Sequence, residues 1–232
     1  MNVLFSPPPR APDLAVAHAI TAYDRSSDSL VHEFEIPLSL DELAMKIAEV
    51  EEDDPFGALS YPLADRQMTA FKFIFGVRSS PSNALFYFEP WTRHESRVPP
   101  DAGRLFSRLK EVGLKPSRLG ASGPINEREL TIPTLRLLSE APQGFRSTTD
   151  LKNELVRRLQ PVGRDAKLLA SRNDTHFAQK VRNMVSNRFA HYSFIRRGYA
   201  SYDQVLSGLT ITDRGRGILS DLDKYGRRAS RA

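Results

Sequence analysis

The stretch SRNDTHFAQKVRNMVSNRF, Ser171 to Phe189, combines two unlike surfaces in one segment. Wound as a helix at about 100° per residue, it puts Phe177, Val181, Met184 and Val185 on one arc. Thr175, His176, Gln179, Lys180, Arg182, Asn183, Ser186 and Asn187 fall on the opposite arc. The apolar arc predicts a helix packed on a core, with Asp174 as its N-cap. The polar arc is of an uncommon kind. Surface helices are ordinarily wetted by Glu and Lys paired across a turn, yet no acid follows Asp174 here. Gln and Asn can pair bidentately with adenine, Arg with guanine, and Ser with a base edge or a phosphate. This arc therefore has the chemistry to read a DNA major groove. The plainer alternative is a solvated face, but solvation alone gives no reason to exclude acids.

The charge distribution favours the first reading. The chain of 232 residues has a net charge of +5, which conceals a division. Residues 1–100 hold 8 Lys and Arg against 15 Asp and Glu, whereas residues 101–232 hold 25 against 13. An acidic half joined to a basic half is expected when only one part meets a polyanion. Arg outnumbers Lys 25 to 8, a bias that genome composition can also produce. There is no cysteine, so disulfides, thiol nucleophiles and thiolate metal sites are excluded. No apolar run approaches the roughly 18 residues of a membrane helix, and MNVLFSPPPR lacks the form of a signal peptide. The expectation is a soluble, cytoplasmic protein.

Outward from the opening stretch, ELTIPTLRLLSEA predicts a helix with Pro133 tolerated in its first turn and Leu130, Leu137 and Leu138 on its apolar side. STTDLKNELVRRLQP predicts a second, capped by Ser147 or Thr148, with Leu151, Leu155 and Leu159 as its stripe. RDAKLLA adds a short helix before Ser171. After Phe189, FIRRGYASYDQVLSGLTIT predicts two short strands around a turn, and DRGRGILSDLDKYG a closing helix. Helix, helix, helix, hairpin, helix is the order of a winged helix-turn-helix. Further cations lie where such a domain meets phosphates: Arg172 before the third helix, Arg188 after it, and Arg196 and Arg197 opening the hairpin beside Tyr199 and Tyr202. The hairpin tip DQVLSG carries an acid, which argues against its entering a minor groove.

Pro133 to Leu138, Gln179 to Asn183 and Leu209 to Leu219 together resemble the winged-helix domain attached to Mrr-type restriction-system proteins. The resemblance runs from Leu130 to Leu219 and implies binding of double-stranded DNA, with no particular target sequence. Its closing motif recurs across many winged-helix families, and the third helix makes it more specific.

The N-terminal half predicts a small α+β unit. LAVAHAITAYD, Leu14 to Asp24, and LVHEFEIP, Leu30 to Pro37, are expected strands, the second with Leu30, His32, Phe34 and Ile36 on its buried face. Ser39 and Glu42 form a capping box for a helix from Leu40 to Val50. ADRQMTAFKFIFG is a second helix stopped by Gly76, and NALFYFEPW a third strand. Glu49, Glu51, Glu52, Asp53 and Asp54 lack the pattern of a calcium loop and are expected to form a solvated acidic turn. Tyr23 and Asp24, Asp53 and Asp54, and Tyr61, Pro62 and Leu63 give this half a resemblance to a short uncharacterised bacterial domain, which implies no activity. The expected organisation is α+β: an acidic domain at 12–91, a linker with a short helix begun by Asp101 at 92–126, a winged helix-turn-helix domain at 127–226, and a basic tail at 227–232. In the linker helix Leu105, Phe106 and Leu109 share one face.

No catalytic constellation emerges. An acid followed by acid-x-Lys on adjoining strands, as metal-dependent nucleases need, is lacking, and His18, His32, His94, His176 and His191 show no ligand spacing. No cofactor or metal is expected. Three classes of function stay open: a DNA-binding regulator or targeting subunit, a component of a restriction system with its nuclease centre elsewhere, and a protein-interaction module of the immunity type. The acidic half is left open to a ligand or a protein partner, and the chain to a homodimer through the N-terminal sheet or the Asp101–Val112 helix.

Overall fold

The computed structural model describes residues 17–54, 58–77, 83–91, 102–111, 124–170 and 173–229. Leu14, Asp101, Arg172, the side chain of Phe106 and the last residues of the basic tail lie outside that description, as does most of the expected linker. The fold is mixed α+β, with helices and two antiparallel sheets.

The first half begins with β1 (Ala17–Asp24) and β2 (Leu30–Glu35), followed by α1 (Asp41–Ala48), β3 (Tyr61–Pro62), α2 (Asp65–Phe75) and β4 (Ala84–Trp91). The sheet order is β2-β1-β4-β3, so the late strand β4 inserts beside β1. Asp24 closes the β1–β2 turn by accepting from the backbone N–H groups of Ser26 and Ser27, both at 2.9 Å. The Ser26 hydroxyl donates to the same oxygen at 2.5 Å, and this bond, with the two backbone N–H groups and the Ser27 hydroxyl, stabilises the ionised form and holds the Asp24 pKa down at about 2. One face of the sheet packs on the helices: Phe71 stacks on Phe88 and Phe75, while Phe34 meets Phe75 edge-on. Gly76 ends α2 in the left-handed conformation, φ 71°, which a residue without Cβ adopts at no steric cost.

Three local expectations need correction. Ser39 does not cap α1; the N-cap is Leu40, without a side-chain bond, after a 3-10 turn at Leu38–Leu40. Leu40 is fully buried and Asp41 is drawn to the buried His18, 2.7 Å away, so the helix starts where these tertiary contacts place it. Leu30 is 52% exposed rather than buried, at the outer end of an edge strand along which burial increases toward Glu35; His32 is half-buried. Nor is the acidic turn wholly solvated. Asp54 is buried and accepts from Ala58 N, Leu59 N and the Tyr61 hydroxyl at 2.8 to 2.9 Å, pinning the loop that leads into β3.

The second half follows α3 (Ala102–Glu111). It comprises α4 (Thr131–Glu140), β5 (Phe145–Ser147), α5 (Thr148–Leu159), α6 (Gly163–Ala166), α7 (His176–Ser186), β6 (Ala200–Asp203), β7 (Gly208–Ile211) and α8 (Asp213–Ala229). Its sheet order is β5-β7-β6. Ser147 caps α5 by accepting from Asp150 N, and Leu151, Leu155 and Leu159 are buried as their spacing requires. Gly215 is needed for packing: a Cβ there would run into the Tyr199 carbonyl. The closing helix continues past Gly226 to Ala229.

The two halves share one continuous core, from Ile20 to Leu222. Across their junction Arg136, itself held by Asp223 of the same half at 2.5 Å, donates from Nε to Ile74 O at 3.1 Å, and the Arg158 guanidinium lies over Phe73. Lys46 Nζ reaches Glu129 at 2.9 Å with both side chains nearly excluded from water. Burial pulls the Lys46 pKa down, but Glu129 and Glu42 outweigh it and hold it above its ordinary value. Helix α3 packs on α8, to which it is tied by an Arg108–Asp221 pair at 2.6 Å, and it buries Leu105 and Leu109 in the core.

Candidate nucleic-acid interface

Helix α7 is held from three sides. Its apolar arc is buried as expected: Phe177, Val181, Met184 and Val185, joined by Ala178. Its start is fixed by Thr175, whose hydroxyl accepts from Ala178 N at 3.1 Å. Asp174, the expected cap, instead forms an ion pair with Arg182 and accepts from Thr175 N at 3.0 Å. A carboxylate with a guanidinium one side chain away gains a charge-assisted bond, and the neighbouring hydroxyl is left to satisfy the helix N–H. Leu169 N to Asp174 O at 2.8 Å and His176 N to Lys167 O at 3.0 Å tie the preceding loop to the same point.

The polar arc divides into an outward centre and two committed flanks. Gln179 and Asn183 lie one turn apart at the centre and bond to each other, Nε2 to Oδ1 at 2.7 Å. His176 and Ser186 extend this stripe along the helix, and Asn187 caps its end, donating to Glu127 Oε2 at 3.0 Å. On one flank Arg182 is paired with Asp174. On the other, Lys180 turns inward. Its Nζ donates to the buried Asp165 at 2.5 Å and to Ile125 O at 2.6 Å, while Ile125 N donates to the other oxygen of Asp165 at 2.9 Å. Lys180 thus anchors α7 to α6 and to the segment before α4. Asp165, Ile125 and Glu127 were not legible as site residues, because no local pattern links them to a helix so much later in the chain.

Beyond α7 the cations cluster around its C-terminal end. The Arg188 guanidinium lies between the rings of Phe189 and Tyr202, 4.6 and 4.8 Å from their centroids. Arg196 donates to Phe189 O at 2.7 Å and Arg197 to His191 O at 2.9 Å, so both are drawn back against this turn with further N–H groups left over. The buried Tyr199 donates to Glu111 at 2.7 Å, and Arg214 covers its ring. Burial, reinforced by Glu111, pushes this phenol up to about 12. The hairpin tip between β6 and β7 is folded by Asp203, whose Oδ1 accepts from Val205 N and Leu206 N at 2.8 and 2.9 Å. Val205 and Leu206 are left 93% and 59% exposed.

Among the described residues there is no group of three or more His, Asp or Glu arranged to hold a metal ion, and no helix long and apolar enough to cross a membrane. Residues 17–89 match the model of a domain of unknown function (DUF7683), a span that takes in the four-stranded sheet except the last two residues of β4, together with α1 and α2. No curated protein and no solved structure matches the chain.

Proposed function

We propose that the protein binds double-stranded DNA through a winged helix-turn-helix formed by α4, α5, α7 and the β6–β7 hairpin, as a regulator or as the targeting subunit of a restriction-type defence system. One observation carries the reading: α7 presents on the side away from its buried arc a stripe of half-exposed His176, Gln179 and Asn183 and exposed Ser186, amides and small donors without an acid among them, beside a hairpin and an arginine cluster. Such a stripe suits base edges in a major groove, while Arg188, Arg196 and Arg197 suit phosphates. The element order supports it, as does the excess of 25 basic over 13 acidic residues beyond residue 100. The acidic half, locked to the same core, is proposed to take a ligand or protein partner, and catalysis is not assigned to this chain.

The test is binding of the full chain to a duplex at several salt concentrations. With about 5 phosphate contacts, log K should fall against log salt with a slope near −4.5, about −0.9 per contact. A slope near zero removes the electrostatic premise. A second reading, a protein-interaction module, is favoured by the exposed Val205 and Leu206 at the hairpin tip. Capture of a protein partner that is lost on Val205→Asp, with no duplex binding, would select it.

A further inference from the structure

Phe189 is 72% exposed, three residues beyond the last residue of α7. The backbone that carries it is not loose. Asn187 N donates to Asn183 O at 2.7 Å, Arg188 N to Val185 O at 3.2 Å and Ala190 N to Asn187 O at 2.9 Å, while the Arg196 guanidinium holds Phe189 O at 2.7 Å. The ring itself is oriented by Arg188, which is in turn braced by Tyr202 on β6. A large aromatic side chain is thereby held in water in one place by its neighbours. Exposed rings presented in this way are stacking surfaces, and the surroundings specify the partner: Arg188 lies over the ring and Arg196 at its backbone carbonyl, and Ser186 and Asn187 precede it on the exposed side of the helix end.

We infer that Phe189 is a stacking platform for a nucleobase that stands outside the regular double-helical stack, unpaired or extruded, at the C-terminal end of α7. The inference rests on the DNA-binding reading and deepens it. Every base has a π-face, so such a platform recognises the unstacked state rather than a sequence. The neighbouring guanidinium groups supply phosphate contacts on either side of that base. A protein partner would call for an apolar counterpart instead, without a requirement for surrounding anions.

The experiment compares the full-length protein on two labelled duplexes of the same sequence, one fully paired and one with a single unpaired adenine, by fluorescence anisotropy. The expected result is tighter binding of the unpaired-base duplex by roughly tenfold, within the range for one base stacked on an aromatic side chain. Phe189→Ala should bring it down to the affinity of the paired duplex, and Phe189→Trp should keep the preference. Because the ring is exposed, both variants should retain the thermal midpoint of the parent. Equal affinity of the parent for both duplexes overturns the inference and leaves the DNA-binding reading standing. So does a preference that survives Phe189→Ala, or an equal loss on both duplexes. Failure to bind either duplex overturns both.

Discussion

Replacing Lys180 by Met separates a groove-reading lysine from an anchoring one. Asp165 has a side chain only 3% exposed and, after losing the ammonium at 2.5 Å, would keep among the described residues the donor Ile125 N at 2.9 Å. Removing one partner of a buried pair costs roughly 3 to 5 kcal/mol, because the other charge remains buried. The Lys180 side chain is 21% exposed, so water reaches its end of the pair and about 3 kcal/mol is the appropriate figure. For a chain of this length each kcal/mol moves the thermal midpoint by about 2 to 4 °C, which predicts a fall of roughly 6 to 12 °C. Urea unfolding should show a lower midpoint with an unchanged m-value. Adding Asp165→Asn to Lys180→Met should cost less than the sum of the single changes, since the uncompensated charge is then gone. On DNA, the folded variant should bind preferred and random duplexes with the same ratio as the parent. An unchanged urea midpoint together with weaker binding of the preferred duplex alone would refute the anchoring role and return Lys180 to the reading face.

Asn183→Ala should cost about 1 to 3 kcal/mol on a preferred duplex and much less on random sequence, whereas Arg196→Ala and Arg197→Ala should weaken both alike and each reduce the salt slope by about one unit; identical behaviour of all three variants would make the stripe a polar surface that reads no bases. Val181 is fully buried, so Val181→Asp should unfold the protein, read as loss of the cooperative circular dichroism transition, because an unpaired carboxylate would enter the core. The carboxyl of Asp24 should titrate at about 2 by NMR, below its ordinary 3.8, owing to the hydrogen bonds from Ser26 and Ser27. A depressed pKa means that its contribution to the β1–β2 turn is present at neutral pH and disappears only as pH falls through that value; titration near 3.8 would show that those bonds are not maintained.

Sequence alone determined the features whose partners are close along the chain. Leu151, Leu155 and Leu159 predict the buried stripe of α5, Ser147 or Thr148 its cap and Gly76 the end of α2, because periodicity, an N-cap oxygen and a left-handed φ are local properties; the structure selects Ser147. The apolar arc of α7 was readable in the same way, and so was its lack of acids. Tertiary structure decided what the polar groups do. Lys180 looks like a free cation on a polar arc, yet its partners lie 15 and 55 residues away, and the Lys46–Glu129 pair at the junction of the halves is separated by 83. The choice of Thr175 over Asp174 as cap likewise followed from where the Arg182 side chain lies. Composition divided the chain into an acidic and a basic half, while burial joined them, since Ile74, Leu135, Leu155 and Leu222 are hydrophobic whatever charges surround them in sequence. A sequence pattern can specify which face of an element leaves water because that depends on the repeat of the element itself. The particular side chain that meets a buried charge depends on how distant elements pack, which no local repeat encodes.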